Sequence, residues 1–188
     1  MKKCYLHQKI VFPTELIQEA ISEWKNKHLD EYYDISTYRE NLSLALSKTR
    51  AYNLRVPNID WSNKEVTLEA TRDCMDFIDR ELFTNFPAIR RLIHHVGEQE
   101  FVGWNTLGRV FISRLDPNSS IGRHIDQGTY FDSLHRFHVP LETKGSMFCW
   151  DTDSVQLEAG YLYRLNNSVP HWVQNSSTFR THLIFDGV

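Results

Sequence analysis

The chain of 188 residues has only three cysteines, Cys4, Cys74 and Cys149, widely spaced and without a CxxC pair. That scarcity excludes a disulfide framework and a cysteine-built zinc site, and it fits reduced thiols in a cytoplasmic protein. Net charge is small as well, −3 from 21 basic and 24 acidic side chains, so no strongly basic face is on offer and no nucleic-acid partner is expected. No stretch approaches the ~18 consecutive apolar residues of a membrane span. The positive segment Met1–Lys9 leads into no apolar run of the roughly 7–15 residues that a signal peptide needs, so neither a membrane partner nor secretion is expected. What is abundant is core material: 41% of residues are hydrophobic and 13% aromatic, with 11 Phe, 8 Tyr and 5 Trp. Disorder and low complexity are excluded. The length suits one domain, residues 1–188, on a prior of ~100–200 residues per domain.

Two periodicities divide the chain. Leu16, Ile17, Ala20, Ile21 and Trp24 recur at helical spacing behind Pro13 and a Thr14 able to cap, which predicts a helix from Thr14. A second helical pattern covers roughly Leu68 to Leu82, with Cys74, Phe77, Ile78 and Leu82 on one face. A third, short one follows Pro87 through Ile89, Leu92 and Ile93, and 34–59 is ambiguous. After about Trp104, clusters of Gly, Pro, Asn and Asp separate short runs rich in β-branched and aromatic residues. The runs are Arg109–Leu115, Gly122–Asp126, Leu134–Leu141, Ser146–Trp150, Val155–Leu157, Tyr161–Leu165, His171–Gln174 and Phe179–Phe185. Eight short strands in this space predict a jelly roll, the double-stranded β-helix of cupins. The expected fold is mainly β with N-terminal helices: a helical layer over 1–104 packed on a β core over 105–188.

Residues able to do chemistry gather in the β half. His124 and Asp126 stand two apart, and on a strand that spacing sends both side chains from one face. His171 follows 47 residues after His124, beyond a turn-rich stretch. An HxD followed at a distance by His is the order of a two-histidine, one-carboxylate facial triad, which grips one side of Fe(II) and leaves positions open for a cosubstrate and dioxygen. In the run from His135 to Leu141, alternation puts Phe137, Val139 and Leu141 on one face and Arg136 and His138 on the other. Arg180 sits in an equally apolar strand. Buried guanidinium groups need carboxylates, supplied by a ligand or by Glu142, Asp151 or Asp186 of the chain. Ser113 is a hydroxyl where the surrounding strand predicts a core residue. His182 has two readings, a partner behind the site or simple core.

These segments, Ser113 through Asp116-Pro117-Asn118-Ser119-Ser120-Ile121-Gly122-Arg123-His124, Arg136 through Leu141, Asn167 through His171, and Ser177 through Arg180, resemble the aspartyl/asparaginyl β-hydroxylase family. The resemblance spans roughly 113–186. It implies an Fe(II)- and 2-oxoglutarate-dependent dioxygenase that hydroxylates an amino acid or amino-acid side chain, a small-molecule or peptide substrate, with release of succinate and CO2. It implies iron ligands at His124 and His171, Arg180 and Ser113 on the distal carboxylate of 2-oxoglutarate, and Arg136 and His138 near the cosubstrate's metal-chelating end. Asp126 stands where the enzyme that names the family has glycine, so the full triad makes this chain more similar to bacterial free-proline hydroxylases. Two alternatives stay open: a cupin-type metal enzyme that uses no 2-oxoglutarate, and a jelly-roll binding module without turnover.

Overall fold

The computed structural model describes residues 6–27, 49–59, 70, 73–100 and 107–188. Strands β1 (His7–Ile10), β2 (Thr49–Pro57) and β3 (Phe77–Asp79) precede β4 (Leu107–Leu115) and β5 (Ser120–His124). They are followed by β6 (His135–Glu142), β7 (Met147–Trp150), β8 (Ser154–Gln156), β9 (Leu162–Leu165), β10 (His171–Gln174) and β11 (Arg180–Gly187). The helices are α1 (Thr14–Asn26), α2 (Glu81–Thr84), α3 (Pro87–Glu100) and α4 (Thr129–Ser133). No described helix is long and apolar enough to cross a membrane.

Strands β4 to β11 are shared between two antiparallel sheets, crossing from one to the other at every step except the β7–β8 hairpin, as in a jelly roll. One sheet has the order β1-β9-β6-β11-β4-β2-β3, the other β5-β10-β7-β8. All eight expected runs form strands in order, with ends shifted by a residue or two. The register reveals which face each residue takes. Ser113 lies opposite His182, Phe111 opposite Ile184, and Arg136 opposite Asp186, so these side chains leave the large sheet on one side. Ile112, Val110, Phe137, Val139, Leu141, Leu183 and Phe185 leave it on the other. There they join Ile17, Ala20, Ile21 and Trp24 of α1 and Ile89, Leu92, Ile93 and Val96 of α3 in a single core. Helices α1 and α3 thus cover the outer face of the large sheet, and the inner face turns to the small sheet. Between the sheets a second core packs Leu115, Ile121, Phe148, Trp150, Leu157, Tyr163, Leu165 and Val173.

Two local expectations are corrected. Thr14 is the first helical residue and makes no capping hydrogen bond, because the N-cap position falls on Pro13. The start of α3 is instead met by Glu23 of α1, whose carboxylate accepts from Ala88 N and Ile89 N at 3.0 Å each. The helical pattern drawn to Leu82 breaks at Phe77–Asp79, which pairs with Arg55–Pro57 as a strand. A partner edge was available there, so a ladder formed where a helical period was read, and helix resumes only at α2. The remainder of that pattern, at 68–69 and 71–72, lies outside the described residues. Within the ambiguous stretch, Thr49–Pro57 is a strand at the β4 edge and 34–48 again lies outside the described residues.

Candidate metal and cosubstrate site

Every site residue singled out in the sequence lines one cavity of about 120 Å³ between the two sheets: Ser113, His124, Asp126, Arg136, His138, His171 and Arg180. His124 ends β5 and His171 begins β10, and the two are directly opposite in the ladder, with ring centroids 4.3 Å apart. A bulge follows His171, where the pairing shifts before Val173. With Asp126 they form a cluster whose potential ligand atoms all lie within 4.8 Å of one another.

The manner in which Asp126 arrives differs from the strand argument. Strand β5 stops at His124. Asp126 belongs to the following loop, whose backbone is pinned by Asp126 N donating to Asn167 O at 3.1 Å. The fold thus brings His124 and Asp126 together, though not through the period of two along one strand.

Both imidazoles are oriented by backbone. Nδ1 of His124 lies 2.7 Å from Gly122 O, and Nδ1 of His171 lies 2.9 Å from Val169 O. A carbonyl can only accept, so each Nδ1 donates, and Nε2 is the ring nitrogen left to face a cation. Phe148 stacks on His171 at 5.3 Å and 10°. Burial lowers the pKa of His171 below the usual imidazole value, with Asp126 opposing, which keeps it in the neutral, ligating form. Burial also acts on Asp126. There it is outweighed by Arg136, His171, His124 and Asn167, which hold the carboxyl below its ordinary range. Two imidazoles and one carboxylate, in reach of each other and preset by their hydrogen bonds, fit a divalent transition metal with open coordination positions.

The two arginines are placed differently. Arg180 is 2% exposed, and its guanidinium makes no hydrogen bond or ion pair among the described residues. Burial alone drives its pKa down to about 9. None of Glu142, Asp151 and Asp186 pairs with it; Asp151 is engaged by Arg123 at the surface instead. An unmatched buried cation aimed into a cavity is the mark of an anion site. Arg136, by contrast, donates to Asp126 Oδ2 through Nη1 at 2.6 Å and to both oxygens of Asp186 through Nε and Nη2 at 2.7 and 2.9 Å. The resemblance implies a cosubstrate contact at this position, yet these donors face the protein's own carboxylates.

His138 and His182, both buried, bring their Nδ1 atoms to 3.3 Å. Burial and then Arg180 push both far below the usual imidazole value, so both are neutral, and one donates to the other. The sequence reading named Asp186 only as one of three candidate counter-ions for the arginines and placed neither Asn167 nor Tyr130 at this site. Asn167 donates to Asp126 Oδ2 at 2.7 Å, Asp186 holds Arg136, and the Tyr130 hydroxyl donates to Asp186. Asn167 lies within the quoted run to His171, and its polar side chain in a buried turn was the available signal.

Comparison with known proteins follows the same lines. A family model described as Aspartyl/Asparaginyl beta-hydroxylase matches residues 14–188. A search of curated proteins finds no significant match. Among solved structures, a Pseudomonas putida prolyl-4-hydroxylase is 15% identical with a TM-score of 0.54, over 98% of this chain and 92% of that one. A Burkholderia pseudomallei oxidoreductase of the 2OG-Fe(II) oxygenase family is 15% identical with a TM-score of 0.52, over 76% and 69%. The viral collagen prolyl hydroxylase of Paramecium Bursaria Chlorella virus-1, solved with 2OG, is 12% identical with a TM-score of 0.50, over 97% and 95%. At these identities the likeness is one of fold.

Proposed function

The chain belongs to the aspartyl/asparaginyl β-hydroxylase family, and from that premise we propose that it hydroxylates an unactivated C–H bond of an amino acid or an amino-acid side chain. It is a hydroxylase of the 2-oxoglutarate-dependent kind. The observation that carries the proposal is the convergence, in one cavity, of a His-Asp-His cluster and a buried arginine without a counter-ion.

His124, Asp126 and His171 are the iron(II) ligands in this reading, and they also serve as the catalytic centre. Arg180, assisted by the Ser113 hydroxyl on the neighbouring strand, takes the distal carboxylate of 2-oxoglutarate. His138 is the neutral donor or acceptor nearer the metal. Iron(II) bound there, with dioxygen and 2-oxoglutarate, supplies the oxidising power that converts C–H to C–OH as 2-oxoglutarate is decarboxylated to succinate and CO2. The chain's own task is positioning and the exclusion of water. Phe111, Phe131 and Ile184 line other parts of the cavity and offer apolar surface to the reacting carbon.

The test is an anaerobic titration of the protein with Fe(II) and then 2-oxoglutarate, following the visible charge-transfer absorption of a metal-chelated 2-oxo acid. The expected result is a band that is absent in His171→Ala; Arg180→Ala binds iron but requires at least ~10-fold more 2-oxoglutarate. Iron binding without a band points to a metal enzyme that uses no 2-oxo acid. Failure to bind iron leaves a binding module and overturns the proposal.

A further inference from the structure

The two oxygens of Asp126 have unequal surroundings. Oδ2 accepts from Arg136 Nη1 at 2.6 Å and from Asn167 Nδ2 at 2.7 Å, whereas Oδ1 faces His124 Nε2 at 3.8 Å. Oδ2 is thereby occupied by two donors before any ligand arrives. Arg136 is in turn anchored from behind by both oxygens of Asp186. Asp186, 2% exposed, accepts from the Tyr130 hydroxyl, which itself accepts from Arg109 N at 3.0 Å. The line from Asn167 through Asp126, Arg136, Asp186 and Tyr130 to the β4 backbone is thus continuous.

The fold makes room for this line. A side chain begun at Gly108 would place its Cβ 2.7 Å from the Tyr130 hydroxyl and 2.7 Å from Leu134 Cδ1, so the absence of one there admits the tyrosine. Two carboxylates on one guanidinium leave the line with a net negative charge directed at the cluster, as a divalent cation would favour. Each of the three nitrogens of Arg136 donates to a carboxylate of the protein itself, an arrangement suited to fixing a carboxylate.

We propose that Arg136, held by Asp186 and Tyr130, and Asn167 are positioning residues that reserve Oδ2 of Asp126 and present Oδ1 alone to the metal. This rests on the iron-ligand reading above. One-oxygen attachment is what preserves three open positions on a six-coordinate ion.

Mn(II) without 2-oxoglutarate is the probe, since it reports both affinity and the number of exchangeable waters, read from the broadening of its EPR lines in ¹⁷O-labelled water. Wild type is expected to bind Mn(II) with three exchangeable waters. Asp186→Asn and Asn167→Ala are expected to bind it ~10–100-fold more weakly, as losses behind a ligand do, and with fewer waters as the carboxylate turns to offer both oxygens. Tyr130→Phe is expected to give the same change at the lower end. Asn167→Ala removes no buried charge and decides the matter if Asp186→Asn does not fold, with circular dichroism as the check. Folded variants with unchanged affinity, or weaker binding with an unchanged water count, overturn the proposal. A change confined to 2-oxoglutarate affinity also overturns it and returns Arg136 to the cosubstrate. Absence of Mn(II) binding by wild type strikes the metal reading itself.

Discussion

Arg136 and Arg180 leave adjacent strands of the same sheet and line the same cavity, yet their electrostatic positions are opposite. Arg136 lies between two carboxylates, and despite burial Asp186 and Asp126 hold it charged, with its pKa raised above the usual guanidinium value. Arg180 has only the cost of burial, which drags it the other way. The difference teaches how to tell framework from binding site when both are built of the same residue type. A buried charge matched inside the chain is structure. One left unmatched is awaiting an ion from outside, and its cost in the free protein is part of what a ligand relieves.

Substitution at the two positions should break this comparison most visibly. Arg136→Met leaves Asp126 and Asp186 buried without their cation and is expected to destabilise the metal-free protein by ~3–5 kcal/mol, whereas Arg180→Met removes an uncompensated charge and is expected to stabilise it by ~1–4 kcal/mol. Urea unfolding of both variants checks the opposite signs; destabilisation of similar size in each would erase the distinction.

The buried histidines and the carboxylate of the cavity should also respond to different ranges of pH. His138 and His182, beside Arg180, are depressed well below 6.5 by burial. Below pH 6.5 the unfolded chain therefore takes up protons that the folded one refuses, and stability falls as pH falls, by up to ~1.4 kcal/mol per pH unit for each histidine. Asp126 is depressed below 3.8, so its contribution is intact throughout this range and is lost only on further acidification. Unfolding followed from pH 7 to 5 is expected to show the loss in wild type, with a smaller share from His171, which burial also depresses, and a reduced loss in His182→Gln. The smallest expected effect is at Ser113: Ser113→Ala should raise the requirement for 2-oxoglutarate by roughly 3–10-fold, the value of one hydrogen bond of about 0.5–1.5 kcal/mol, and leave metal affinity unchanged in a calorimetric titration.

Legibility in the sequence followed the range of the interactions concerned. Strands β4 to β11 could be read because inward and outward residues alternate along them and turn residues interrupt them, a local signal. Phe77–Asp79 was misread as helix, because three residues hold no resolvable period and what makes them a strand is the edge of β2, far away in the chain. Likewise β1 pairs with β9 across some 155 residues, His7 opposite Leu165, and nothing near His7 announces it. At the site, His124, Asp126, His171, Arg180 and Ser113 were nominated by residue type and order, and the structure brings them to one cavity. Asp186 was named among candidate partners for either arginine, and only the register, Arg136 opposite Asp186, decided which one it serves.

By itself, then, the sequence determined the jelly-roll cadence of β4 to β11, the alternation of faces along those strands, and the set of side chains with the chemistry to hold a metal and an anion. These follow from period-two alternation and side-chain chemistry, both properties of short segments. Tertiary structure alone decided that Asp126 reaches the cluster from a loop docked on Asn167, that Arg136 is spent on two carboxylates, and that Arg180 is left unmatched. Charge pairing in a protein interior depends on which strands become neighbours and in what register, and that is settled by the packing of the whole core.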